Sequence, residues 1–582
     1  MSSEKKVEEV KPAEEGAGAG EEEEVVVTPW EVKGKIDYDR LVKQFGVSRI
    51  QKEQIERIKR LTGIEPHPWL RRDIFFAHRA LDQFLDAYEA GDPVFLYTGR
   101  GPSSGSLHLG HTIPFTFTAW MQKAFKCPVV IQMSDEEKCA FKNLPFKSVY
   151  EMGIENVKDI VCFGFDPALT FIFFNRDYRL STPEYEVFAT DMRCITHAKE
   201  IQAIFGFDKT EGNPASVAMY DWPFYQSAAA FSISYPHLFH GRKAHCMVPY
   251  AIDQDPYFRL ARGVADKMQL IKPYSIMCQF MPPLTGTQGK MSSSVACSSS
   301  IFLTDDEATV RSKILTYAFS GGGGDGSMED HRKYGGNTDV DISYQYLRYF
   351  WDDDAKLEEV GAAFRKGEMS CSQMKELLVK TLVDYIAEHK RRRALVTDEV
   401  LKSFLDKKPI QLYTRPVTVE NTPEERALYD VLDEMQIKHR TKYHKPIANA
   451  DQARELMLTL DGEPVKTLLL KGDNKWFVVV AHVDTSVDMK VLRKQLSQKK
   501  LRFADAAMAQ ELLKCPRGGT SVFGLINVPK EQQATVSVLL DKNLPKDADL
   551  CFYPFRMDAT CLISHKDMLT FIAKYGVQIA DL

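Results

Sequence analysis

No stretch of the 582 residues comes near the roughly 20 consecutive apolar residues that span a bilayer, so no membrane helix is expected. The opening residues MSSEKKVEEV lack the basic flank and apolar centre of a secretory signal, which points to the cytosol. Cysteine lacks pattern: there are eleven, an odd count, with no C-x-x-C and no tight Cys/His cluster. A disulfide scaffold and a structural zinc site are therefore disfavoured, and free, mostly buried thiols are expected. A bulk charge of one sign is missing too. The net charge is −5, and the first 24 residues carry nine Glu against three Lys, so the body is close to neutral. A nucleic-acid surface, if present, must be local. No internal repeat is visible, and the length exceeds what one core organises.

Residues 1–24 are acidic and rich in Gly and Ala, and read as a disordered tail. VVVTPW at 25–30 reads as a strand, and IDYDRLVKQFG and KEQIERIKRLTG as two short helices closed by glycine. PVFLYTGRGPSSGSLHLGH is a strand, a Gly/Pro/Ser turn and the mouth of a helix, and CPVVIQMSD is a second strand. Repetition of strand and helix to about residue 300 predicts an α/β fold with a parallel sheet and functional loops at the carboxyl ends of its strands. The glycine-rich stretch 321–336 reads as a loop, and TLVDYIAEHKRRRALVTDEVLKSFL as one long helix. Two prolines near LDKKPIQLYTRPVTVENTPEE place a linker there, with TPEE capping the next helix. KTLLLKG and KWFVVVAH around GDN predict a hairpin in a separate α+β unit.

The sharpest local signal is His108-Leu109-Gly110-His111 after a strand and turn, paired with Lys290-Met291-Ser292-Ser293-Ser294 far downstream. Imidazoles at a helix mouth suit a phosphate, because the unpaired amides there already favour anions. Lys290 with its serines supplies donors for charge growing on phosphate oxygens. Taken singly, either string is also compatible with ordinary helix-cap histidines or a solvated loop.

With YTGRGPSS, IQMSDEEK, AIDQDPYFR, SSSIFLTD, AFSGG and GGNTDVD, these strings make residues 25–408 resemble the eukaryotic-type tryptophanyl-tRNA synthetases, a family of class I aminoacyl-tRNA synthetases. The resemblance implies a Rossmann-type catalytic domain with a parallel sheet, a helical anticodon-binding domain, ATP as substrate with Mg2+ accompanying it, L-tryptophan and tRNA(Trp) as partners, and a homodimer. It assigns catalysis to His108, His111, Lys290, Ser292 and Ser293. It places Thr98, Gly99, Arg100, Gly101, Gly110 and Met291 around ATP, Tyr97 and Gln132 at the indole nitrogen, and Glu137, Gln226 and Gln254 at the α-ammonium. An indole N–H demands such an acceptor, since leaving it unpaired costs about 1 to 3 kcal/mol. Asp253 and Asp255 lack a third ligand, and no protein-bound metal is expected. Residues 26–30 would correspond to a strand element covering the site. Lys390, Arg391, Arg392 and Arg393 can contact tRNA phosphates or form a solvated helix face.

Residues 418–582 resemble the YbaK/prolyl-tRNA-editing deacylases through AHVDTSVDMKVL, KKLRFAD and SVFGLIN. That likeness places Lys466, Gly518 and Gly519 at the tRNA end and its ester. Two departures stand out: Val522 replaces the proline before the F-G pair, and Tyr553 replaces the histidine before Pro554, so an imidazole gives way to a phenol. Deacylation, tRNA-end binding and a structural appendage all stay open. The expected divisions are a tail at 1–24, a strand and helix extension at 25–90, the Rossmann-type domain at 91–300, the helical domain at 301–408, which could share helices with the core, a linker at 409–417 and the editing-like domain at 418–582. Competing readings are a tyrosine-specific synthetase, a catalytically inactive tRNA-binding or signalling scaffold, and hydrolysis by the last domain as the main activity.

Overall fold

The period-two pattern of Val94-Phe95-Leu96-Tyr97 is that of a strand buried on both faces: Val94 and Leu96 enter one apolar cluster, Phe95 and Tyr97 another. A computed structural model describes residues 26–27, 32–33, 37–207, 215–287, 299–323, 327–416, 419–444, 446 and 456–582. Strands β1 (Val26–Val27) and β2 (Val32–Lys33) pair as a short antiparallel ribbon. The tail at 1–24 and Trp30 lie outside the described residues.

The first large sheet contains β3 (Ser48–Arg49), β4 (Phe75–Arg79), β5 (Val94–Arg100), β6 (Val129–Met133), β7 (Thr170–Phe174), β8 (His245–Ala251) and β9 (Tyr274–Cys278), in the order β3-β4-β9-β8-β5-β6-β7. β5 through β9 are mutually parallel, and β3 and β4 add an antiparallel edge. The chain runs outward from β5 to β7, then returns to the other side of β5 for β8 and β9. The topological switch therefore lies between β5 and β8, where a ligand crevice is expected beyond the strand ends.

The two early helices, Tyr38–Phe45 and Lys52–Thr62, end at Gly46 and Gly63, whose φ of +62° and +70° is the left-handed turn that glycine tolerates. Helices between 307 and 405 do not form an isolated bundle: Leu347, Leu378, Leu382 and Phe404 belong to the same apolar cluster as Ile113 and Phe117. Two expectations need correction. The glycine-rich 321–336 stretch contains the helix Met328–Tyr334, whose start is capped by the Ser327 hydroxyl accepting from Asp330 N–H. The long basic helix is two, Cys371–Arg393 and Asp398–Leu405, because the Thr397 side chain accepts from Val400 N–H and starts a new one.

The C-terminal unit has its own eight-stranded mixed sheet with β10 (His439–Tyr443), β11 (Glu463–Lys471), β12 (Trp476–His482), β13 (Arg502–Phe503), β14 (Val536–Leu540), β15 (Asp549–Phe552), β16 (Ala559–Ser564) and β17 (Gln578–Asp581). β11 and β12 form the hairpin expected around GDN. Thr422 and Glu425 make a reciprocal capping box for the helix Pro423–Glu434. The segment between the two units is not a free spacer: Ile410 is buried in the cluster on one face of the first sheet, and Arg415 donates to the Glu89 carbonyl at 3.3 Å.

Candidate active site

A cavity of about 570 Å³ opens at the carboxyl ends of β5 and β8, at the switch in strand order. Its wall brings together Tyr97, Thr98, Gly99, Arg100 and Gly101 from β5 and its exit, His108, Gly110 and His111 from the next helix mouth, and Gln132, Glu137, Gln226 and Gln254 from elements beyond. Twelve residues named from sequence thus share one chamber. Lys290, Met291, Ser292 and Ser293 lie outside the described residues, but both flanks of that segment reach the chamber. Met281 lines it, and beyond the segment Ile301 accepts from Leu109 N–H at 3.0 Å while Leu303 N–H donates to Leu107 at 2.9 Å.

On the helix-mouth side, the Leu109–Phe125 helix begins at His108, and the His108 N–H faces His111 Nδ1 at 3.4 Å. The two imidazoles stack with centroids 3.5 Å apart. Arg100 donates through Nε to Asn156 Oδ1 at 3.1 Å and sits 2.9 Å from His111 Nε2 through Nη1, while its buried Nη2 has no partner among the described residues. Burial lowers the guanidinium pKa to about 10, so it remains charged at neutral pH. A buried, charged donor with an unused N–H beside two imidazoles and a helix N-terminus is a site for an anion. Gly101 permits close approach, since a Cβ there would collide with Lys138 and Glu137.

The opposite group is acceptor-rich. Tyr97 Oη donates to Gln132 Oε1 at 2.6 Å, and both residues are almost fully buried. Burial raises the phenol well above its ordinary range, so Tyr97 stays protonated. Gln226 Nε2 donates to Gln254 Oε1 at 3.1 Å, and Gln226 Oε1 accepts from Trp222 Nε1 at the same distance. Glu137 accepts from Ser134 Oγ and Lys138 Nζ, each at 2.8 Å. Asp255 serves the fold, with Arg79 Nη2 2.8 Å away and Tyr250 Oη donating at 3.1 Å. Among the described residues no cluster of three His, Cys, Asp or Glu could hold a metal. Sequence reasoning missed Asn156, which holds Arg100, and Asn175, which holds Gln132. Asn175 follows an uninterrupted apolar strand and carries no motif.

Residues 89–385 match the family of tRNA synthetases class I (W and Y), which is just over half of the chain. The chain belongs to that family. This class I synthetase is 45% identical over 396 residues to the Homo sapiens protein named cytoplasmic tryptophan–tRNA ligase, covering 67% of this chain and 82% of the relative. It is 44% identical to the Arabidopsis thaliana protein of the same name, over 67% and 96%. Among solved structures, Plasmodium falciparum tryptophanyl-tRNA synthetase matches at 41% identity and TM-score 0.59, covering 64% of this chain and 95% of that one. The tryptophan-bound Encephalitozoon cuniculi enzyme matches at 39% and 0.58, over 64% and 98%. Residues 444–571 of the synthetase match the aminoacyl-tRNA editing domain.

The synthetase's basic run closes the Cys371–Arg393 helix, but its charges are already engaged. Lys390 Nζ donates to the Asp305 carbonyl at 2.7 Å. Arg391 and Arg392 pair with Glu388 at 2.7 Å, and Arg393 is bound to Glu155 and Asp159 of the catalytic unit. Lys390, Arg391 and Arg392 are exposed, the last two at 65% and 51%, while Arg393 is half-buried. In the editing-like unit, Lys466 on β11 donates to the Val483 carbonyl at 2.9 Å. Met557 lies over the Gly518-Gly519 turn: a Cβ on Gly519 would be 2.8 Å from its sulfur. Tyr553 is half-buried, and burial raises its phenol pKa, so it offers no base near neutral pH.

Proposed function

We propose that the protein is a tryptophan–tRNA ligase: it activates L-tryptophan with ATP, giving tryptophanyl-adenylate and pyrophosphate, and passes tryptophan to tRNA(Trp). The observation carrying this reading is the Tyr97–Gln132 pair, a buried acceptor set for an indole N–H, in one cavity with Arg100, His108 and His111. The amino-acid carboxylate attacks the α-phosphate, and the terminal ribose hydroxyl of tRNA then attacks the adenylate carbonyl. No covalent enzyme intermediate is needed, so the protein's work is alignment and stabilisation of phosphate charge. Thr98, Gly99, Gly101, Gly110 and Met291 surround ATP, and Mg2+ arrives with it. Glu137, Gln226 and Gln254 hold the α-ammonium. Lys290, Ser292 and Ser293 grip the departing pyrophosphate.

Pyrophosphate exchange on the whole chain tests this. Tryptophan should drive it and tyrosine should not; the reverse would transfer the assignment to tyrosine, and exchange with neither would leave a non-catalytic scaffold. Lys290→Ala should cost about 3 to 4 kcal/mol of transition-state stabilisation, as loss of one key electrostatic donor does.

The working form proposed is a homodimer. Leu180, Val187 and Ile233, 70%, 57% and 51% exposed, stand on helical elements packed around Pro183–Cys194. Leu180→Asp with Val187→Asp should shift the sedimenting species to monomer. The relatives are named cytoplasmic, and the same location is proposed for this chain. Among the described residues no helix is long and apolar enough to cross a membrane.

The C-terminal unit is proposed to bind the aminoacyl end of tRNA through Lys466 and the Gly518-Gly519 turn. The phenol at Tyr553 and Met557 against that turn favour binding over hydrolysis. Incubating the full chain with alanyl- and seryl-tRNA decides the point: release that disappears in Lys466→Ala would make this unit a deacylase.

A further inference from the structure

The amide of Gln132 has a direction, and residues away from the cavity set it. Gln132 stands near the end of β6, and β7, its parallel neighbour, runs directly into Asn175. Gln132 Nε2 donates to Asn175 Oδ1 at 2.8 Å, and Asn175 Nδ2 donates to Glu136 Oε2 at 2.6 Å. The other Glu136 oxygen accepts from Arg179 Nη2 at 2.9 Å. Tyr185 Oη lies 3.0 Å from Asn175 Oδ1 and 2.8 Å from the Tyr225 carbonyl, which share its single hydrogen. Gln132, Asn175 and Tyr185 are buried, with exposures of 1%, 0% and 0%.

The polarity of this chain follows from its charged end. A carboxylate paired with arginine only accepts, so Asn175 must turn its NH2 toward Glu136 and its oxygen toward Gln132. Gln132 must then turn its NH2 toward Asn175 and its oxygen toward Tyr97 and the cavity. Reversing either amide would set oxygen against oxygen among buried side chains, leaving buried groups unpaired.

We propose that Asn175, oriented by the Glu136–Arg179 ion pair, is a positioning residue that determines specificity: it locks the Gln132 carbonyl toward the ligand and makes the pocket require an N–H. Asn175 and Glu136 do not line the cavity; they act through Gln132. The inference deepens the tryptophan reading and rests on it. A pocket whose oriented acceptor is left unpaired rejects a ligand lacking the donor far more strongly than an unoriented amide does.

The test compares L-tryptophan with L-3-benzothienylalanine, in which sulfur replaces the indole N–H, by pyrophosphate exchange on the full chain. Wild type should favour tryptophan in kcat/KM by about tenfold or more. Asn175→Leu should lower that preference by about tenfold through the tryptophan KM, leaving the analogue's kcat/KM and the ATP KM within about twofold. Glu136→Gln keeps the shape and removes only the fixed polarity; it should lower the preference less, and it serves if Asn175→Leu fails to fold. A merely structural role would reduce both amino acids equally, and that result overturns the proposal, as does a preference unchanged in both variants. A wild type inactive with tryptophan sinks the substrate assignment and the relay together; one active with tryptophan but indifferent between the two sinks the relay alone. A selective wild type with equally selective variants sinks the relay alone.

Discussion

Lys442 Nζ of the C-terminal unit lies 2.7 Å from Asp92 Oδ1, in the turn that leads into β5. Both side chains are largely buried, and His245 Nε2, at the start of β8, is 3.4 Å from the other Asp92 oxygen. Nearby, Lys243 Nζ donates to the Leu460 carbonyl at 3.1 Å. The C-terminal unit is therefore clamped at the amino ends of the two strands whose carboxyl ends carry the cavity. Burial pushes the Asp92 carboxyl up, but His245 and Lys442 outweigh it and hold its pKa below the usual range.

Lys442→Met should loosen that clamp at a cost of up to about 3 kcal/mol, because one partner of a buried charge is lost while His245 remains. Limited proteolysis around residues 407–422 should accelerate, while pyrophosphate exchange stays within about twofold, since Asp92 lies at the far end of β5 from the cavity. A depressed acid stabilises the fold above its unfolded pKa near 4 and loses that contribution as pH falls through the folded value. The wild-type advantage over Lys442→Met should therefore fade below about pH 4.

Arg100 leads to a kinetic prediction. Its Nε and Nη1 are held by Asn156 and His111, and the remaining buried Nη2 has no partner among the described residues. Arg100→Ala should lower kcat/KM for ATP in exchange by about 10²- to 10³-fold. Arg100→Lys should recover little of it, because an ammonium cannot reproduce the fork that engages two partners and a phosphate together. Asn156→Ala should fall between, through a raised ATP KM.

Much of this site was legible because chemistry and chain order coincide. PVFLYTGRGPSSGSLHLGH contains a strand, its carboxyl end and a helix mouth in one string, so Tyr97, Arg100 and His111 could be named from it. Asn175 could not. It acquires meaning only because β7 lies beside β6, a pairing between distant segments. In the basic run, four cations in one helical turn look like a phosphate surface, yet sequence alone could not show that Arg393 is occupied by Asp159 and Glu155 from a helix more than 200 residues earlier. The single long helix expected over TLVDYIAEHKRRRALVTDEVLKSFL failed because Thr397 offers the backbone a local cap that periodicity does not register.

Asp135 supplies a pH signature. It is fully buried, its Oδ1 accepts from Glu136 N–H at 3.0 Å, and its Oδ2 has no partner among the described residues. Burial, reinforced by the neighbouring Glu136 charge, raises its pKa to about 7. For a raised acid, the unfolded chain ionises from about pH 4 while the native state keeps its proton to about pH 7, so wild type loses stability across that interval. Asp135→Asn cannot ionise. Its thermal transition should differ little from wild type at pH 4 and should exceed it increasingly up to pH 8, by an amount approaching about 4 kcal/mol. A gap that stays constant with pH would place the ionised carboxylate in the native state throughout.

The end of the Cys371–Arg393 helix separates structural from nucleic-acid roles. Asp159 is 2% exposed, and Arg393→Ala would leave it only His389 Nε2 at 3.1 Å. That variant should lose about 3 kcal/mol of stability. Arg391 and Arg392 form exposed pairs with Glu388, which solvent screens, so removing both should scarcely move the thermal transition. If those two guanidiniums reach tRNA phosphates, Arg391→Ala with Arg392→Ala should weaken tRNA binding and reduce the slope of log K against log salt by about 1 to 2. Pyrophosphate exchange without tRNA should be unaffected. An unchanged slope, with charging intact, would remove this helix end from the tRNA surface and leave its four cations to the protein's own carboxylates and carbonyls.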